Sequence, residues 1–227
     1  MALTLIVNVS IANAQFSGTF IYKTSDNSTD FYIDFYIDDK YQIYFIEHAT
    51  PDIQIVNVLS GGDFVMNNDT ILFSDAILGF GMEATLRGKE LEFVKSFSFL
   101  TNRRFIFQSG IGQECHFKDD PRLKNLKQRR LDYKTRNQEL FDLKFGVYGS
   151  DEGFKIEVQP DRLYQLIYKG FLLSEGKWAR VGNELMLFDT NLKHFFHVLI
   201  GRAQLISELL PGDYIGFRLR FSSPLSE

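Results

Sequence analysis

The sequence predicts an all-β chain. It reads as two copies of an antiparallel meander of six or seven strands, each a small barrel or sandwich, joined by one helical segment. Three observations carry this. The stretch "LSGGDFVMNNDTILFSD" (59–75) aligns without a gap with "LSEGKWARVGNELMLFD" (173–189), keeping Leu, Ser, one Gly and the closing Asp. Short apolar segments alternate with period two between polar turns, the pattern of half-buried strands. The chain also holds 23 Phe and 10 Tyr against a single Trp, and aromatic side chains favour pleated, half-covered surfaces.

The copies share more than the opening stretch. "FYIDFYIDDKYQIYF" (31–45) matches "FKIEVQPDRLYQLIY" (154–168) through Phe, Ile, Asp and a Tyr-Gln pair, after which the first copy carries nine extra residues around "EHATPDIQ". "FGMEATLRGKELEF" (80–93) lies opposite "FFHVLIGRAQLISE" (195–208), and "RRFIF" (103–107) opposite "FRLRF" (217–221). Four blocks in one order mark a diverged tandem duplication of module-sized units.

Taken from the N-terminus, "MALTLIVNVSIANAQ" offers a short apolar run and then Ala12-Asn13-Ala14, the form of an export signal cleaved after residue 14. The expectation is an exported protein, periplasmic or extracellular. Gln15 stands where a lipoprotein needs Cys, and no apolar run reaches the roughly 20 residues of a transmembrane helix.

Residues 15–108 form the first β module. In "DFYIDFYI", Phe31, Ile33, Phe35 and Ile37 make one apolar face. "TILF", like "ELMLF" in the second copy, is a continuous apolar run, which predicts strands covered on both sides. Asp38-Asp39, Gly61-Gly62 and Asn67-Asn68-Asp69 are turn signals, and the Asn68-Asp69 site aligns with Gly182-Asn183.

The linker, 109–142, contains the predicted helix. Asp120-Pro121 makes an N-cap and first-turn pair, and Leu123, Leu126, Tyr133, Leu140 and Phe141 follow near one side. Lys118–Arg136 holds eight Lys/Arg against three Asp/Glu, so a chain of net charge -4 has a body near -9. An acidic body argues against nucleic acid as partner, because phosphate binding needs a basic face. The basic stretch reads as a solvated helix face offsetting the modules' charge more readily than as a contact for anionic lipid or an acidic partner.

Residues 143–227 form the second module. Gly176-Lys177-Trp178, with its counterpart Gly62-Asp63-Phe64, resembles the Gly-x-Trp element of lipocalin-like barrels. That resemblance implies a small secreted barrel. In that family the element opens the barrel, whereas here it follows three or four strands, and no binding residue is carried across. A glycine turn followed by a core aromatic explains it more readily.

No catalytic, cofactor-binding or metal-binding residue is assigned. Cys115 is the one cysteine, which excludes an internal disulfide. His194 and His197, three apart in a strand, face opposite ways and cannot share an ion. Asp34 and Asp38 recur as Glu157 and Asp161, and strand alternation plus turn chemistry accounts for them better than acid–base catalysis does. The function expected is that of a non-catalytic exported protein that binds a small apolar or amphipathic ligand or an envelope protein. Phe35, Phe45, Phe64, Phe73, Trp178, Phe188 and Phe196 are the candidate lining residues of an aromatic pocket or inter-module groove. The alternative is a structural or protein-interaction module whose aromatics fill its own cores. An enzyme of unrecognised chemistry stands third.

Overall fold

The computed structural model describes residues 16–25, 28–50, 53–110, 140–211 and 218–225. These form two closed antiparallel barrels of eight strands each. The first comprises β1 (Gly18–Lys23), β2 (Thr29–Phe35), β3 (Lys40–Thr50), β4 (Ile53–Asn67), β5 (Thr70–Asp75), β6 (Gly81–Arg87), β7 (Glu90–Lys95) and β8 (Arg104–Ser109). The second comprises β9 (Gly146–Gly149), β10 (Phe154–Val158), β11 (Leu163–Tyr168), β12 (Phe171–Val181), β13 (Glu184–Asp189), β14 (His194–Gly201), β15 (Gln204–Leu209) and β16 (Arg218–Ser223). Each is an up-and-down meander in which neighbours in sequence pair and the last strand returns to the first.

The duplicated all-β meander is therefore present, and three finer expectations change. Each unit has eight strands, because short pieces such as Gly146–Gly149, flanked by glycines, read as loop in sequence. Closure selects the barrel over the sandwich and removes every exposed edge. The run "TILF" is covered on one side only: Ile71 and Phe73 point inward while Leu72 is 46% exposed. Most of the predicted helical linker, residues 111–139, and the segment 1–14 lie outside the described residues. Leu140, Phe141 and Asp142, the described C-terminal end of that linker, are not helical.

One block of the repeat also shifts register. The turns after β6 and after β14 coincide when Arg87 is matched to Gly201, since both close their hairpins (Arg87↔Glu90, Gly201↔Gln204). Met82 and Ala84 then correspond to the buried Phe196 and Val198. The sequence match placed Phe80 opposite Phe195, one residue away, which reverses every inside and outside position.

The same side chains fill both interiors. Phe31, Ile33 and Phe35 of β2 meet Tyr41, Ile43 and Phe45 of β3, all at 0–1% exposure. In the second barrel Phe154, Ile156 and Val158 meet Tyr164, Leu166 and Tyr168. Rings pack against rings at 4.9–5.7 Å around Phe35, Phe64 and Phe73. The loop between β7 and β8 folds inward, burying Phe97 and Leu100 at the end of the first barrel.

Each barrel has two ends of different kind. The outer ends carry the turns after β2, β4 and β6, or after β10, β12 and β14. The inner ends carry the connections after β1, β3, β5 and β7, or after β9, β11 and β13. The barrels meet inner end to inner end. Phe171, at the turn between β11 and β12, sets its ring 4.9 Å from Phe31, 5.4 Å from Phe99 and 5.8 Å from Phe45. The backbone N–H groups of Ser98 and Phe99 donate to the carbonyls of Leu173 and Leu172 at 3.3 and 3.1 Å. Phe171→Ala is expected to cost about 3 kcal/mol, the usual scale for removing a packed ring. Its signature in calorimetry is one unfolding transition becoming two. A single unchanged transition would show that the joint does not couple the barrels.

Candidate functional site

The joint is also where the two copies differ most. The nine extra residues of the first copy lengthen the β3–β4 hairpin, which reaches across to the second barrel. Tyr168 Oη donates to Asn57 Oδ1 at 2.9 Å, and Lys169 Nζ lies 2.8 Å from Glu47 Oε1. Asn191 Nδ2 donates to Ser98 Oγ at 2.9 Å from the turn after β13. His194 sits in the same seam, its ring 6.0 Å from Phe80 and 5.2 Å from Phe196. Burial pushes its pKa down and His197 adds to this, while Asp75, Asp189 and the Leu78 backbone pull it back up.

Beside the seam opens a groove of about 640 Å³. Glu47, His48, Asp151, Glu152, Lys169 and Phe171 are among its lining residues. His48 Nε2 lies 3.2 Å from Asp30 Oδ2, which fixes the imidazole on the groove wall. Such a wall offers carboxylate acceptors around one aromatic edge and suits a polar or cationic group better than a lipid tail. A smaller depression of about 470 Å³ lies on the outside of the first barrel, among Thr85, Arg87, Glu90, Glu92, Val94 and Arg104.

The candidate lining residues do not share one place. Phe35, Phe64 and Phe73 pack together inside the first barrel, while Phe45 points to the joint and touches Tyr168 and Phe171. Phe196 is buried inside the second barrel, near Phe80 of the first. Phe188 is half-buried on the outer face, with Phe195 4.9 Å away. Trp178 is half-buried at the outer end of the second barrel, where its Nε1 donates to the Gln159 carbonyl at 2.9 Å and Phe145 lies beside it.

A repeated polar network is the feature that the sequence reading passed over. Tyr41 Oη and Ser60 Oγ are 2.8 Å apart, and Ser60 Oγ donates to Asp75 Oδ2 at 2.7 Å. Asp75 Oδ1 in turn accepts the N–H groups of Ile77 and Leu78, capping the turn after β5. In the second copy Tyr164 Oη and Ser174 Oγ are 2.6 Å apart, and Asp189 Oδ1 accepts the N–H of Leu192 in the matching turn. Burial raises both carboxyls, against the pull of the serine hydroxyls and turn N–H groups. Burial also drives the Tyr41 and Tyr164 phenols far above their ordinary value.

These chains of Tyr, Ser and Asp have the residue types of a proton relay but none of its access. Tyr41 and Ser60 are at 0% exposure and Asp75 at 3%. They seal strand to strand and strand to turn inside each wall. Asp34, the repeated carboxylate noted in sequence, accepts from Thr19 Oγ1 at 2.7 Å. Burial raises its pKa, with the hydroxyls of Thr19, Tyr44 and Tyr36 pulling it down. Its counterpart Glu157 lies opposite Gln165 across the sheet. His197 Nδ1 lies 2.6 Å from Glu184 Oε1 on the outer face, away from His194 in the seam. Among the described residues no three His, Cys, Asp or Glu side chains converge to hold a metal ion, and no helix is long and apolar enough to cross a membrane. Compared with known proteins, the chain matches no family model, no curated protein and no solved structure.

Proposed function

We propose that the protein is an exported, non-catalytic interaction module of the cell envelope, a rigid pair of barrels that works through its outer surfaces. The observation that supports this is the state of the interiors. The positions where a small barrel would hold a ligand are taken by the chain's own rings, from Phe31, Phe35 and Phe73 to Phe154 and Tyr164, all at 0–3% exposure. A ligand pocket of useful size needs about 300 Å³ or more, whereas the rings of Phe35, Tyr41, Phe64, Phe73 and Phe93 sit against one another at 4.9–5.7 Å across the first interior.

A second reading places a small ligand in the groove beside the joint. It is favoured by the groove's size, about 640 Å³, and by its mixed wall of Phe171, Glu47 and Lys169.

Native mass spectrometry on the protein recovered from the envelope fraction of its host separates the two. The interaction-module reading expects a bare polypeptide mass beginning at Gln15, alone or as whole-protein assemblies. A reproducible small added mass that leaves on denaturation would overturn it in favour of the groove. A chain that still carries Met1 would remove the export part of the proposal.

A further inference from the structure

The duplication supplies its own control for reading surfaces, because each position of one outer end has a counterpart on the other. At the turn after β2 the first copy has Asp39 and Lys40, where the second has Arg162 and Leu163 after β10. Along β4 and its counterpart β12, Asp63 is replaced by Lys177, Met66 by Arg180 and Asn67 by Val181. The backbone is the same at the tip: Asp39 and Arg162 take φ of 58° and 69°, and Phe64 and Trp178 donate their N–H groups to those two carbonyls. Only the chemistry of the surface has changed.

The change has a direction. Over its three turns the first barrel's outer end carries Asp38, Asp39, Asp63, Asp69 and Glu90 against Lys40, Arg87 and Lys89, a net charge of -2. The second barrel's outer end carries Arg162, Lys177, Arg180 and Arg202 against Asp161 and Glu184, a net charge of +2. Exposed apolar side chains accompany both. On the second barrel these are Leu163 at 39%, Val181 at 61% and Phe145 at 44%, and on the first Val65 at 63% and Met66 at 40%. With the inner ends engaged in the joint, these outer ends are, among the described residues, the surfaces that lie farthest from it.

We propose that the chain assembles head to tail, the basic and apolar outer end of the second barrel docking on the acidic outer end of the first barrel of another copy. Opposite charge steers and orients such an encounter, and the apolar side chains supply contact area at its centre. The two surfaces differ, so the contact is heterologous and its repetition extends as a filament unless the rotation closes a ring. The proposal rests on the interaction-module reading and names the partner as a second copy. A small bound ligand would sink that reading without abolishing salt-sensitive assembly, so the two fail separately.

Charge reversal tests it. Arg162→Asp with Lys177→Asp reverses one surface, and Asp39→Arg with Asp69→Lys reverses the other. All four side chains are exposed, and each copy already shows that Asp and Arg both accept the left-handed conformation at the tip. Sedimentation velocity on the full-length chain in about 20 mM salt should show a mean mass that climbs with concentration, and about 0.5 M salt should suppress it. Each double variant alone should associate at least tenfold more weakly. An equimolar mixture of the two should recover the association, since it pairs the one intact acidic end with the one intact basic end. Three results overturn the proposal: a wild-type chain that stays monomeric, reversed variants that assemble as well as wild type, or a monomer whose basic end instead binds phosphatidylglycerol vesicles.

Discussion

Alanine at Gly176 is expected to cost at least about 3 kcal/mol and to leave the second barrel unfolded or grossly rearranged at 37 °C. A Cβ at that position would lie 2.1 Å from the Phe188 carbonyl oxygen and 2.8 Å from Thr190 Oγ1, on a residue whose φ is +156°. The obstacle is the backbone of the neighbouring strand, which cannot step aside without breaking the β12–β13 ladder. Gly62→Ala is its twin, with Ser74 O at 2.1 Å and the Ala76 nitrogen at 2.8 Å. Gly182 is the control. Its φ of +61° is equally unusual, but nothing lies within 4 Å of a Cβ there. Gly182→Ala should cost only about 1–2 kcal/mol, and Asn, which holds φ 53° at the matching residue 68, should cost less. Urea titrations of the three variants decide the matter. Equal losses at 176 and 182 would mean that strand crowding is not the cause.

The second large effect belongs to Asp75. Alanine there removes the acceptor for Ile77 N, Leu78 N and Ser60 Oγ at once, leaving buried donors unmet at about 3 kcal/mol in total. Asparagine keeps the Oδ1 acceptor and lets Ser60 reverse its role, so it should be tolerated. It should also change the pH profile. Burial raises the Asp75 carboxyl above its ordinary value of about 4. Between that value and the raised one, the folded chain holds a proton that the unfolded chain has released. The group's contribution to stability is therefore full below about pH 4 and is lost as pH rises through the folded value. Asp75→Asn abolishes that loss, so its melting temperature relative to wild type should climb from pH 4 to pH 7. A difference that stays flat, or falls, would show that the carboxylate is accommodated in its charged form.

This network explains what could be read in the sequence and what could not. Its members were visible as the identities of the repeat, namely Tyr-Gln, Leu-Ser and the closing Asp. They did not announce a network because Tyr41 to Ser60 spans the nine-residue insertion that Tyr164 to Ser174 lacks, so no fixed spacing recurs. The register of β14 was obscured differently. Val198, Leu199, Ile200 and Gly201 are buried in succession, and without alternation a match can slip by one residue unnoticed. Phe188 reads as an inward ring in sequence because "ELMLFD" is apolar on both faces, whereas "DFYIDF" declares its inside by its aspartates. Closure itself left only one trace, the glycine that opens each unit.

Those two glycines have a consequence for how the molecule is made. Gly18 would place a Cβ 2.4 Å from the Phe107 ring, and Gly146 one 2.7 Å from the Phe221 ring, where the last strand of each unit returns to the first. The two seams are thus cut to the same pattern, each with one register shift, so β1 offers β16 the same kind of edge that β9 does. A chain that emerges from its N-terminus is expected to avoid this ambiguity, since the first unit is complete at Ser109, before residue 218 is available. A chain diluted from denaturant has no such schedule. Both units hold open flanks together, and exchange of their last strands competes with correct closure.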